Sequence, residues 1–185
     1  ILGCAAALGG KRVDAVVSWM IDLMMGIPHI VLLILVSYAL GRGAVGVTVG
    51  VALTHWPSLA RVLRAEIVQL REQSWLASAR AAGATPWQVV RGHVLPAVLP
   101  QLLVGVVLMF PHAILHEASI TFLGFGLSPD EPAVGVILSE SMQYLSAGYW
   151  WLAALPGAAL LVVVLAFACL GSLARALASA RSSQR

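Results

Sequence analysis

The sequence predicts an all-α membrane protein, and three observations lead to that fold class. Of the 185 residues, 60% are hydrophobic and only 10% are charged, whereas soluble domains carry roughly a quarter charged residues. Long runs almost free of charge recur along the chain. The sequence shows no sustained alternation of apolar and polar residues, the pattern that would indicate strands. Because lipid offers no hydrogen-bond partners, each spanning segment must satisfy its own backbone, which favours helices.

Four charge-poor runs approach or exceed the ~17–25 residues that cross a bilayer as a helix. They comprise residues 15–40, 45–60, 98–115 and 149–174. The sequence also opens inside an apolar run, ILGCAAALGG, without a methionine. We therefore expect about four complete spans plus part of a fifth, in a chain truncated at its N-terminus.

The basic residues predict the orientation, since they favour the cytoplasmic side. When the gaps between spans are assigned to alternate sides, only Arg42 lies on one side. The other side carries Lys11, Arg12, Arg61, Arg64, Arg71, Arg80, Arg91, Arg175, Arg181 and Arg185. This side is predicted to be cytoplasmic. The net charge of +3 is spread over several loops, which gives no indication of a nucleic-acid partner.

The two cysteines, Cys4 and Cys169, lie singly in apolar runs. Such isolated residues are typical of small core positions. We expect neither a disulfide nor a metal site from them.

A polar segment interrupts the apolar sequence near its middle. Residues 58–82 favour one helix, which Gly83 can end in the left-handed conformation. Thr85-Pro86-Trp87-Gln88 has the residues of a capping box that starts a second, short helix. That helix is expected to stop before Pro96, so that the segment forms a cytoplasmic elbow. These residues by themselves are equally compatible with an interfacial helix lying on the membrane.

The same segment resembles the EAA loop of binding-protein-dependent ABC importer permeases. That loop has Glu-Ala-Ala, three residues, Gly, nine residues, Ile, one residue and Leu-Pro. The present chain has Ala77-Ser78-Ala79, then Gly83, His93 and Leu95-Pro96 at the same spacing. Its departures are Ala77 for glutamate, Ser78 for alanine and His93 for isoleucine. The loss of the glutamate removes one potential ion pair with a partner.

The flanking sequence narrows the resemblance to the second permease of the dipeptide, oligopeptide and nickel importer class. It is carried by DLMMGIPHIVLLI, LTHWPSLARVLRAEIVQLRE, HEASITFLGFGLSPDEPAVGVILSESMQYL and WWLAALPGAALLVVVLAF. The resemblance covers essentially all of the chain. It implies an ABC importer type I transmembrane domain over residues 1–185, with a coupling loop at about 66–96 and an external loop at about 117–148. It also implies a prokaryotic cytoplasmic (inner) membrane location.

The resemblance further implies the partners. These are a second homologous permease, two cytoplasmic ATP-binding subunits and an extracytoplasmic substrate-binding protein. The sequence contains no G-x-x-x-x-G-K-[ST] phosphate-binding loop. ATP and Mg²⁺ would therefore be used by the partner ATPase, and this chain would bind no cofactor. The implied ATPase-coupling residues are Ala77, Ser78, Ala79, Arg80, Gly83, Thr85, Pro86, Gly92, Leu95 and Pro96.

Polar groups inside the spans are candidates for the translocation path, because ionisable side chains are costly at membrane depth. Asp22 and His29 lie seven residues apart in residues 15–40 and would share a helix face with Met25. Pro28 is expected to kink that helix. The structural alternative is that Asp22 caps or bonds to a neighbouring span.

A second set of candidates lies in the next-to-last span. Met109, His112 and His116 would share one face, with Glu117 following. Histidines at i and i+4 have the right spacing to bind one transition metal. Without a definite third ligand, histidines bonded to the external loop are the alternative, and no metal site is assigned. His55 is predicted to serve packing.

The outer segment predicts turns, a short helix and an interfacial aromatic pair. FLGFGLSPDEPAVG is rich in glycine and proline, and a helix is expected over residues 133–144. The carboxylates of Glu117, Asp130, Glu131 and Glu140 make this side acidic. Trp150 and Trp151 are predicted to lie at the outer membrane interface.

Other functional classes remain open from the residues alone. An ATP-independent secondary transporter or channel would show internal repeats around a broken helix, and no repeat matches the break expected at Pro28. An intramembrane enzyme would need a nucleophile–base set, and neither G-x-S-x-G nor H-E-x-x-H occurs. For an importer, the cargo stays open between peptides and nickel, free or chelated. The His/Met face slightly favours nickel.

Overall fold

The computed structural model describes residues 2–182, with the side chains of 75–77, 80, 86 and 177–182 excepted. All regular structure in this range is helical. The helices are α1 Leu2–Leu8, α2 Gly10–Gly26, α3 His29–Ala39, α4 Gly43–Arg71, α5 Ser74–Ala81, α6 Pro86–Val89, a π-helical turn Val90–Val94, α7 Leu95–Phe122, α8 Val134–Leu145 and α9 Trp151–Ser182. The all-α membrane fold class is confirmed.

Two described helices are long and apolar enough to cross a bilayer, Trp87–Phe122 and Trp151–Ala176. The pair α2 and α3 would add a third if it forms one broken span. Residues 45–60, predicted as a span, lie inside the 29-residue helix α4, which is not among these apolar helices. This part of α4 is less apolar because it contains the stretch Thr54-His55-Trp56-Pro57-Ser58.

The prediction of one kinked helix over residues 15–40 was wrong, because the chain forms two helices there. Helix α2 ends at Gly26, and Pro28 is the N-cap of α3 with an extended backbone (φ −52°, ψ 123°). Proline disfavours the helical conformation of the residue before it, and glycine is a weak helix former. Gly26, Ile27 and Pro28 together therefore interrupt the helix.

The described chain divides into two compact units. The described parts of Ile1–Gly26, Trp56–Val106 and Leu173–Arg185 form unit 1, and Ile27–His55 with Val107–Ser172 form unit 2. In unit 1, α1 packs closely on α4, where a Cβ on Gly3 would lie 2.5 Å from the Ala60 carbonyl oxygen. One core cluster of this unit consists of Ala7, Leu63, Ile67, Val89, Val94 and Val98.

Unit 2 has its own small core. Leu33 of α3, Val47 of α4 and Ile120 of α7 are buried against one another. The hydroxyl of Ser37 donates to the Phe125 carbonyl at 2.8 Å, which attaches α3 to the segment after α7. The predicted helix after that segment is confirmed as α8, one residue later at each end than expected.

Candidate functional site

We call residues 74–96 the elbow, and its first feature is a left-handed turn at Gly83. Its φ is +88°. The N–H of Ala84 donates to the Ala79 carbonyl at 3.2 Å, which is the six-to-one bond of a Schellman-type helix end. A Cβ on residue 83 would meet nothing within 4 Å. The left-handed conformation, and not crowding, therefore favours glycine here, and the predicted helix stop is confirmed.

The capping box predicted at Thr85 is also present. The Gln88 side-chain oxygen accepts from the Thr85 N–H at 2.8 Å and from the Thr85 hydroxyl at 2.9 Å. In return, the Gln88 N–H donates to Thr85 Oγ1 at 3.3 Å. These bonds satisfy backbone groups that a helix start otherwise leaves open. Local sequence therefore fixes where α6 begins.

Two expectations about the elbow and the helix that precedes it were wrong. The single helix expected over residues 58–82 is interrupted at Glu72 and Gln73, whose N–H groups donate three residues back to Gln69 and Leu70 at 3.2 Å. Such i→i−3 bonds tighten and end a helix, so α4 stops at Arg71 and α5 begins at Ser74.

The second helix does not stop before Pro96. It continues through the π-helical turn Val90–Val94 into α7, and the Leu95 N–H donates to the Val90 carbonyl. Proline removes one backbone donor and crowds the preceding turn of a helix. A π-turn changes the bonding register at that place, so the helix passes Pro96 without ending. The elbow is thus continuous with α7.

One side of the elbow is buried in unit 1 and another is exposed. Val89 and Val94 are only 3% and 2% exposed. They belong to the same core cluster as Leu63 and Ile67 of α4. Trp87, by contrast, is 68% exposed. The elbow therefore presents a large aromatic side chain to the surroundings while its base is held by apolar packing.

Three histidine rings from α3, α4 and α7 meet within unit 2. The ring centroids of His29 and His116 are 4.3 Å apart, those of His29 and His55 are 4.7 Å apart, and those of His55 and His116 are 5.2 Å apart. Each residue offers one ring nitrogen, and these atoms all lie within 4.8 Å of one another. We call these residues the three-histidine cluster.

Comparison with known proteins places the chain in a family. Residues 1–181 match the family model described as binding-protein-dependent transport system inner membrane component. The chain belongs to this family. Its members are inner membrane components of transport systems, which agrees with the apolar helices and with the predicted inner membrane location.

Two curated relatives illustrate the range within this transport family. The nickel transport system permease protein of Escherichia coli is 33% identical over 178 residues, 95% of this chain and 63% of that protein. The dipeptide transport system permease protein of Bacillus subtilis is 26% identical over 171 residues, 92% of this chain and 53% of that protein. The chain thus spans somewhat more than half the length of these relatives.

The residues that the family resemblance assigns to ATPase coupling all fall on the elbow. The side chains of Ala77, Arg80 and Pro86 lie outside the described residues. Ser78, Gly83, Thr85, Gly92, Leu95 and Pro96 are exposed, and Ala79 is half-buried. Their role in coupling stays a prediction.

Asp22 and His29, two of the residues predicted to line the translocation path, do not share a helix face, because the helix is interrupted between them. Asp22 on α2 accepts a hydrogen bond from Arg61 of α4 at 2.7 Å. This contact is the structural alternative that the sequence left open. His29 begins α3 and joins the three-histidine cluster. Met25 is 47% exposed.

The expected pairing of His112 with His116 was wrong. His112 is exposed, and its Nδ1 lies 3.1 Å from the Leu108 carbonyl one turn earlier. The His116 ring instead lies beside the rings of His29 and His55, which belong to α3 and α4. Glu117 accepts a bond from the Thr121 hydroxyl at 2.8 Å, and Met109 is half-buried.

Sequence reasoning missed two features of this family member. His55 was assigned to packing because its sequence neighbours, Trp56 and Pro57, indicated a helix irregularity; no periodicity links it to His29 or His116. The ion pair of Asp14 with Arg64 was also missed, and its second contact, Arg64 Nη2 to Asp14 Oδ2, measures 2.6 Å. Opposite charges on two apolar helices are a signal that could have suggested this pair.

Proposed function

We propose that this chain is a transmembrane permease subunit of an ATP-driven importer. It would move peptides or nickel, free or chelated, across the cytoplasmic membrane by alternating access. A second homologous permease would share the path, and an extracytoplasmic binding protein would deliver the cargo. Two separate ATPase subunits would provide the energy.

The observation that carries this proposal is the construction of the elbow. Its exposed side offers Trp87, which is 68% exposed, and aromatic side chains are enriched at the energetic centres of protein interfaces. Its base, through Val89 and Val94, belongs to the core of unit 1. A displacement imposed on the exposed side by a partner would therefore be transmitted to packed helices.

The short helical connections support such transmission. Thr85 and Gln88 fix the start of α6 by reciprocal bonds. From Pro86 the chain then remains helical through the π-turn to Phe122. Helices transmit displacement better than irregular loops because their backbone bonds are internally satisfied. An ATPase docked on the elbow would thus act directly on α7.

Copurification of the full-length permease with its ATPase tests the proposal. Truncating an aromatic side chain at an interface centre costs about 2 kcal/mol or more. Trp87→Ala should therefore lower the apparent affinity for the ATPase by roughly 30-fold, and less ATPase should be recovered. Trp150→Ala is the matched control, because Trp150 is similarly exposed at 64% but is predicted to lie on the outer side. ATPase recovery that is unchanged in Trp87→Ala, or equally reduced in both variants, would contradict docking at the elbow.

Uptake in vesicles distinguishes the transport classes and the cargoes. Labelled dipeptide and Ni²⁺ uptake should each be measured with and without ATP and binding protein. An importer of this kind should accumulate one of the two only when both are present. Accumulation without any ATPase would instead support the ATP-independent transporter.

A further inference from the structure

The three-histidine cluster brings together rings that are far apart in the sequence. Its rings come from α3, α4 and α7, and all three residues lie in unit 2. Two of the three rings are separated from the third by more than 60 residues of sequence. Their proximity is therefore a product of tertiary packing and not of a local turn. The three residues are half-buried.

Each of the three rings has one buried nitrogen without a hydrogen-bond partner among the described residues. His29 Nε2, His55 Nε2 and His116 Nδ1 are each buried and unpaired within the described part of the chain. Leaving a buried polar atom unpaired costs about 1–3 kcal/mol. Because the three rings lie together, with centroids 4.3–5.2 Å apart, one bound group that accepts a ring nitrogen from each of them would offset this cost.

His55 is held in the form that a metal ion requires. Its Nδ1 lies 2.9 Å from the Val51 carbonyl. A carbonyl only accepts, so Nδ1 carries the proton and Nε2 keeps a free lone pair. Metal-binding histidines commonly donate their other ring N–H to such a carbonyl, which fixes both ring orientation and tautomer.

We propose that His29, His55 and His116 form a binding site for a late first-row divalent transition-metal ion, of the Ni²⁺ and Zn²⁺ class. Imidazole nitrogen suits these ions, whereas Mg²⁺ and Ca²⁺ prefer oxygen. Metal–nitrogen bonds of about 2.1 Å in tetrahedral geometry place ligand atoms about 3.4 Å apart. The present separations, within 4.8 Å, reach that value through small side-chain rotations.

With only three histidine ligands, the ion keeps at least one open coordination position, which water or a group on a bound molecule can occupy. The site therefore differs from a closed structural site with four protein ligands. The proposed site follows from the arrangement of the three imidazole rings, and it does not require that the transported cargo be a metal. Binding and uptake are accordingly separate measurements.

The test is metal titration of the full-length permease, purified with its partners and stripped with a chelator. Co²⁺ binding is followed by its absorption spectrum, and Ni²⁺ and Zn²⁺ binding by calorimetry. The wild type should bind one ion per chain at the cluster. His29→Gln, His55→Gln and His116→Gln should each weaken binding by at least about 100-fold, more than a lost second-shell contact costs. His112→Gln is the matched control on the same helix as His116, and it should keep wild-type affinity.

A measurement on the unmodified protein guards against variants that fail to fold. Diethyl pyrocarbonate labelling, mapped by mass spectrometry, should show that metal protects His29, His55 and His116 but leaves His112 reactive. Failure of the wild type to bind, unchanged binding in the cluster variants, or equal protection of His112 would each overturn the site. The titrations need no ATP, so a failed uptake assay would count against the importer and not against the site.

Discussion

The elbow and the three-histidine cluster are built on opposite principles. In the elbow, polar groups are paired locally, as in the bonds between Thr85 and Gln88, and a large apolar side chain is left exposed. In the cluster, apolar helices surround polar ring nitrogens that have no partner among the described residues. The first arrangement suits contact with another protein, and the second suits a small ligand with strong affinity for nitrogen. A single helix, α7, continues from the elbow and also carries His116.

The largest expected effect on uptake is at Gly83, and this change should separate the elbow from the three-histidine cluster. A β-branched residue is strongly disfavoured in the left-handed conformation, at a cost of about 1–2 kcal/mol or more. Gly83→Val should therefore lower uptake by about 5–30-fold or more, while membrane insertion and metal binding stay unchanged. Vesicle uptake and membrane fractionation measure the first two, and Co²⁺ titration the third.

Gly83→Asn is the control for this change, because asparagine tolerates the left-handed conformation better than other side chains. It should keep most of the uptake. Normal transport by Gly83→Val would refute the coupling role of the elbow.

A smaller effect is expected at the capping box. Thr85→Val keeps the shape of the side chain but removes the hydroxyl that accepts from the Gln88 N–H. Loss of an N-cap costs about 0.5–2 kcal/mol, so ATPase affinity should fall by roughly 2–30-fold. The measurement is titration of the purified ATPase against the permease. Thr48→Val, at an exposed position of α4, should have no effect; equal losses in both variants would argue against a special role for the cap.

The smallest effect concerns the two ion pairs between α2 and α4 in unit 1. The side chains of Asp14 and Arg64 are 33% and 34% exposed, whereas those of Asp22 and Arg61 are 70% and 51% exposed. Exposed pairs contribute about 0.2–1 kcal/mol, and bidentate, less exposed pairs more. Asp14→Asn should therefore lower the melting temperature more than Asp22→Asn.

Neither of these two changes should alter metal binding, because the cluster lies in the other unit. Thermal unfolding in detergent measures the melting temperatures, with the wild type in the same detergent as reference. A larger loss for Asp22→Asn would contradict the ranking by exposure.

The elbow was largely predictable because its conformation depends on neighbours in sequence. Gly83 stops a helix through its own backbone freedom, and Thr85 caps one through a residue three positions later. The continuation past Pro96 was missed, since a π-turn changes the bonding register without a distinctive residue pattern. The break at Glu72 was missed for a similar reason: neither it nor Gln73 is a strong helix breaker.

The sequence by itself determined that the chain is an apolar, all-helical membrane protein with a polar elbow, because composition and local capping depend only on which residues are near one another in the chain. Only the tertiary structure decided that His116 meets His29 and His55 and not His112. Helical spacing places His112 and His116 one turn apart, but the break at Pro28 and the packing of α3, α4 and α7 determine which rings come together. Contacts between distant segments depend on how whole helices pack, and no short-range pattern encodes that packing.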